Sequence, residues 1–247
     1  MRYILYSLFL MIIVTSCKQE KVLIAQDIVD KAIEVSGGEK FKTSTISFDF
    51  RDKHYKAFRN NGVYQYERVF NDTLSKIRDV LSNDGFKRFI NDKEVTVVDS
   101  MAAKYTRSVN SVHYFVVLPF GLNDAAVNKE YLGEVTIKDK TYHKIKVHFN
   151  QEGGGDDYED VFMYWINKDN FKVEYLAYSY MDSPTELGLR FREAYNERYV
   201  NGLRFVDYNN YKPEDGMLDL FALDSLFESG KLKLLSKIEN VNVEVNY

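Results

Sequence analysis

Hydrophobic and polar positions recur along this chain with two periods. Over residues 23–36, Ile24, Ile28, Ala32 and Val35 return every three or four positions, and Val29 and Ile33 widen the stripe. The spacing predicts a helix with Asp27 near the positive end of its dipole and Gly37-Gly38 as its stop. The same period runs over residues 100–118, where Met101, Tyr105, Val109, Val112 and Val116 form one face. Asp99 or Ser100 can cap that helix, and Pro119 marks its end. A third, shorter helix is predicted over residues 218–229, with Leu220, Leu223, Leu226 and Phe227 apolar and Gly230 closing it.

Nearly everything else alternates with period two or forms short apolar runs between turn residues, which predicts strands. Residues 46–59 and 63–72 flank Asn60-Asn61-Gly62, and residues 75–82 and 86–90 flank Asn83-Asp84-Gly85, both hairpin signals. Further strands are predicted at 94–97, 130–138, 142–150, 158–167, 173–180, 189–196, 204–211 and 231–245. Short connections imply an antiparallel meander. A long flat sheet invites aggregation at its edges, and three helices cannot cover both faces. The expected fold is mainly β (α+β): a single curved antiparallel sheet or half-barrel of about ten to twelve strands, with helices plugging the concave face. No linker or repeat divides it, so residues 23–247 are expected to form one β-rich domain.

One stretch fits neither period. After Arg2, residues 3–14 (YILYSLFLMIIV) are almost wholly apolar. This run is too short for a spanning helix, which needs about 20 residues, and it matches the apolar core of a secretory signal. Val14-Thr15-Ser16-Cys17 follows and resembles a bacterial lipobox. That resemblance implies a signal peptide at 1–16, a lipidated Cys17 and a short tether over 17–22. The alternative is an ordinary cleavage site beside an incidental cysteine. Acyl chains on Cys17 would make the membrane a partner and place the domain in the cell envelope. The outer membrane is expected rather than the inner, with the domain in the periplasm or at the surface.

Composition changes this picture in three ways. Cys17 is the single cysteine, so neither an internal disulfide nor a thiolate-rich metal site is available. The formal charge of −4 gives no electrostatic footprint for nucleic acid, and loss of Arg2 makes it more negative still. The 19 Tyr and 17 Phe are an aromatic load concentrated on predicted strands. Such rings either fill the curved sheet or line a ligand space inside it.

Strand parity selects candidates. If residues 46–59 form one strand, Ile46, Phe48 and Phe50 share a face with Asp52, His54 and Phe58. Phe191 shares a face with Glu193, and Phe205 with Asp207, whereas Arg190 and Arg192 take the opposite parity to Glu193. With the apolar faces inward, Phe48, Phe50, His54, Trp165, Phe191, Glu193 and Phe205 are the expected ligand-binding residues. The polar members would grip a headgroup, or stay wet at the rim if the strands leave the barrel first. Asp52, His54, Glu193 and Asp207 could instead serve a hydrolase-like enzyme as an acid–base cluster. No GxSxG, GxxxxGK[ST] or HExxH signature accompanies them. Gly153-Gly154-Gly155 lies between strands and reads as a hairpin loop. His143 and His148 face opposite sides of a regular strand, and the acidic stretch over 152–160 lacks the alternating calcium-loop spacing. No metal and no cofactor is expected.

The segments YLGEV (131–135), YHKIKVHF (142–149), YWINK (164–168), RFREAYN (190–196) and RFVDYNNYKP (204–213) are similar to motifs of a family of uncharacterised lipoproteins common in Bacteroidota. The similarity covers nearly the whole mature chain and implies a domain of unknown function, without catalytic residues. The order of elements also resembles the LolA/LolB-like half-barrel of lipoprotein carriers, as a layout only. That layout implies an acyl chain or other lipid held between sheet and helices. A structural or interaction module of an envelope complex, without a small ligand, is the rival reading.

Overall fold

The computed structural model describes residues 24–155, 158–183, 186–214 and 216–247, without the side chains of 182 and 183. Cys17 and the 17–22 tether lie outside these residues, as do Asp156 and Asp157. Two antiparallel sheets of seven strands each make up the body. The first is a meander of β1 (Thr45–Phe50), β2 (Lys53–Asn60), β3 (Val63–Asn71), β4 (Lys76–Ser82), β5 (Gly85–Ile90) and β6 (Lys93–Val95). The second runs through β7 (Val127–Ile137), β8 (Lys140–Phe149), β9 (Val161–Asn167), β10 (Val173–Ser183), β11 (Glu186–Val200), β12 (Leu203–Pro213) and β13 (Leu232–Ile238). β14 (Asn240–Asn246) then pairs with β1 and completes the first sheet. The mainly β, antiparallel, unclosed architecture is as the pattern predicts, but the sheet is divided into two ladders and has more strands.

Two breaks account for the difference. Residues 46–59 reverse at Arg51, whose φ of 56° lets Arg51-Asp52 turn the chain so that Phe50 pairs with Lys53. Residues 231–245 break at Glu239, where the chain passes from one sheet to the other. Asp207 on β12 locks that corner although it is only 2% exposed. Its Oδ1 accepts from the Asn240 amide at 3.0 Å and from Arg198 Nη2 at 3.2 Å, and its Oδ2 accepts from Asn196 Nδ2 at 2.6 Å. A buried carboxylate is tolerable only when paired and hydrogen-bonded in this way.

Among the described residues, three α-helices complete the fold: α1 (Ala25–Ser36), α2 (Asp99–Val116) and α3 (Leu223–Glu228). α1 buries Ile28, Val29 and Ala32 against the second sheet. α3 starts later than its apolar pattern predicts, because Asp219 accepts from the Phe221 amide at 2.9 Å and opens a 3-10 turn first. α2 crosses the first sheet, where Arg68 Nη1 donates to Ser108 Oγ at 2.6 Å and His113 Nε2 donates to the Glu67 carbonyl at 3.0 Å. The stripe that predicts this helix thus faces one sheet, while its C-terminal half extends over the other. Among the described residues, no helix is long and apolar enough to cross a membrane.

Candidate functional site

The second sheet is apolar on both faces, and alternation along its strands assigns each side chain to one of them. On β11, Phe191 and Glu193 point toward α3, whereas Arg192 points toward α2. Under α3 the rings are packed: Trp165, Tyr175 and Phe191 pack with Leu220, Leu223 and Phe227. Trp165 Nε1 donates to Asp224 Oδ2 at 3.1 Å, and Lys144 Nζ reaches the same oxygen at 2.7 Å. Burial alone would raise the Glu193 carboxyl. Lys138 Nζ at 2.6 Å, Asn209 at 3.2 Å and the Tyr211 hydroxyl at 3.1 Å hold it below its ordinary value.

Under α2 the face is open. A cavity of about 610 Å³ lies between the helix and the sheet, inside the range of about 300–1,000 Å³ common for small-molecule sites. The C-terminal half of α2 forms one wall, with Val112, Tyr114 and Phe115. The sheet supplies Phe149, Phe162, Tyr178 and Tyr208, and Phe50 reaches in from β1. Glu159 and Asp160 line it from the β8–β9 connection.

Arg192 is the one cation among the described lining residues, and it is 8% exposed. Rings surround its guanidinium: the Phe115 centroid lies 3.9 Å from Cζ, Tyr178 5.1 Å and Tyr208 5.9 Å. Nη2 donates to the Tyr178 hydroxyl at 2.8 Å, while Nε is buried without a partner. No described carboxylate forms an ion pair with it. Burial pushes the Tyr114 phenol up to about 12 and raises Tyr164 and Tyr208 as well. All three stay protonated near neutral pH and so bring no counter-charge to Arg192.

Of the sequence-predicted binding residues, Phe50 lines this cavity. Phe48 and Phe205 are buried with Phe41, Ile46 and Leu203 in a separate cluster. Trp165, Phe191 and Glu193 lie on the α3 face. His54 is exposed and sits 2.7 Å from the Asp49 carboxylate. Its parity with Phe50 fails because the chain reverses at Arg51-Asp52, which pairs Phe48 with Tyr55 instead. Asp52 bonds Lys53 at 2.7 Å, and none of Asp52, His54, Glu193 and Asp207 bonds another. No acid–base pair forms among them. Among the described residues no cluster of His, Cys, Asp and Glu could hold a metal. Arg192 was readable as the parity opposite to Phe191, had the face under α2 been known to be the open one.

Three solved structures share part of this layout. One is a LolA superfamily protein from Nitrosomonas europaea, with 10% identity, 92% of this chain and 93% of that chain covered, and a TM-score of 0.49. Another is a DUF1329 family protein from Desulfovibrio piger, with 9% identity, 90% and 93% coverage, and a TM-score of 0.42. The third is a putative outer membrane lipoprotein-sorting protein domain from Vibrio parahaemolyticus, with 7% identity, 88% and 93% coverage, and a TM-score of 0.42. No curated protein matches the chain. A family model covers residues 3–240, and the chain belongs to that family, the family of unknown function DUF6503.

Proposed function

We propose that this chain is a lipid-anchored envelope protein that holds an acyl chain or other apolar molecule between α2 and the second sheet. The observation that carries the reading is the cavity of about 610 Å³, walled by Phe115, Phe149, Phe162 and Tyr178. Rings that merely filled a core would close on one another, as they do under α3. The anchor rests on the lipobox-like run that ends at Cys17. Acylation there would hold the domain at a membrane surface, where apolar ligands are available. The outer membrane is the expected site, with the domain in the periplasm or at the surface.

Native mass spectrometry of the full chain released from detergent tests both parts. The intact mass should carry the acyl groups, and Cys17→Ala should lose them together with membrane association. The protein should retain an apolar species that Ser111→Trp, at an exposed position of α2 lining the cavity, displaces. A chain that retains nothing and takes up no added long-chain ligand overturns the binding reading. In that case the structural-module reading is favoured.

A further inference from the structure

We infer that the ligand of this cavity is a long-chain carboxylate whose single negative charge is held by Arg192. The inference rests on the binding reading above and names the chemistry at its polar end. A guanidinium has five N–H donors, and the one hydrogen bond Arg192 makes within the described chain, to Tyr178, leaves the others unused. A buried cation is costly without an anion, and aromatic faces offset that cost only in part. Elsewhere this fold supplies the anion: Arg68 and Arg88 both reach Asp79 at 2.6 Å, and Arg204 reaches Glu197 at 2.8 Å. Arg59 is also buried without an ion pair, but it is not among the residues lining this cavity and it lies over Tyr66. Arg192 combines, within the described residues, the missing anion with a space large enough to bring one.

The cover over the cavity cannot supply the charge. The carboxylate of α2 is Asp99, in its first turn, and the stretch over the cavity carries Asn110, Ser111, Tyr114 and Phe115. Glu159 and Asp160 line the same cavity and oppose any negative charge brought into it, a dianion about twice as strongly as a monoanion. A singly charged head is therefore favoured over a phosphate monoester. A carboxylate also matches the planar guanidinium fork, and the aromatic walls suit an apolar chain.

The test is a competition read by native mass spectrometry, in which the full chain meets equal concentrations of palmitate, 1-hexadecanol and hexadecyl phosphate. Palmitate is expected to be preferred over hexadecanol by about tenfold or more, the range of a charge-assisted hydrogen bond in a dry site. It is also expected to outcompete hexadecyl phosphate. Arg192→Met should bring palmitate and hexadecanol close to parity, and Arg192→Lys should keep part of the preference. The wild-type comparison needs no variant to fold. Equal binding of palmitate and hexadecanol by the wild type overturns this inference alone. Tighter binding of hexadecyl phosphate overturns the choice of carboxylate. Binding of none of the three overturns the inference together with the function it rests on.

Discussion

The two faces of the second sheet carry similar residues and end in different states. Under α3, Trp165, Tyr175 and Phe191 pack directly against Leu220, Leu223 and Phe227. Two cations there, Lys144 and Lys138, each have both a ring and an acid. Lys144 lies over Trp165 and binds Asp224, and Lys138 lies over Phe227 and binds Glu193. Under α2, Phe162 and Tyr178 face a cavity, and Arg192 has rings but no acid. The aromatic load does not separate the faces. What differs is the cover: α3 is short, but it brings Asp224 down onto the sheet. α2 is pinned to the other sheet by Ser108 and His113, so its far half bridges the open face without filling it.

If paired cations are structural and Arg192 is not, removing the partner acids should be the most damaging change. Asp79→Ala strands Arg68 and Arg88 together, and Asp79 is fully buried. The expected loss is about 3–5 kcal/mol, read as a fall in the urea midpoint. Asp224→Ala comes next, at about 3 kcal/mol, because the Phe221 carbonyl still accepts from Lys144 at 2.7 Å. That variant should also free Trp165, visible as a shift in its fluorescence, since its Nε1 loses a partner. Values under about 1 kcal/mol for both variants would erase the distinction between paired and unpaired cations.

The same comparison shows where the sequence stops being readable. The β2–β3 hairpin was legible because Asn61 and Gly62 have the chemistry its left-handed torsions require. α1 was legible because its stripe and its glycine stop lie within a few residues of each other. The turn at Arg51-Asp52 carries no such signal, so the parity of Phe50 was extended one hairpin too far, to His54. The larger gap concerns the second sheet. When both faces are apolar, alternation separates Phe191 from Arg192 but does not say which helix covers which face. That depends on contacts between residues far apart in sequence, such as Lys144 with Asp224.

Acidification should probe the attachment of α2 while leaving the α3 cover in place. Burial drives His113 down to about 3, with Arg59 and Arg68 adding to the effect, so the ring is neutral in the folded protein. The contribution of this group is fully present above its ordinary value of 6.5 and is lost as pH falls from there toward about 3. α2 should loosen over that window. Amide exchange across residues 105–116 should rise more steeply than across β9 and β10. In His113→Gln, which cannot take up a proton, the difference between the two regions should shrink. Equal exchange in both regions at pH 5 would mean that His113 does not set the attachment.

The smallest expected effect sharpens the comparison most. Arg192→Met removes a buried cation that has no acid and one hydrogen bond, and it substitutes an apolar chain beside Phe115, Tyr178 and Tyr208. The lost ring contacts are worth about 0.5–2 kcal/mol, and relief from burying an uncompensated charge has the opposite sign and is at least as large. The unfolding free energy read from the urea midpoint should therefore fall by no more than about 1 kcal/mol, well below the loss expected for Asp79→Ala. A loss as large as that of Asp79→Ala would mean that Arg192 is a structural cation after all, held by rings and a phenol alone. A loss near zero would leave the residue without a role in stability, and its place in the cavity would have to be explained by what binds there.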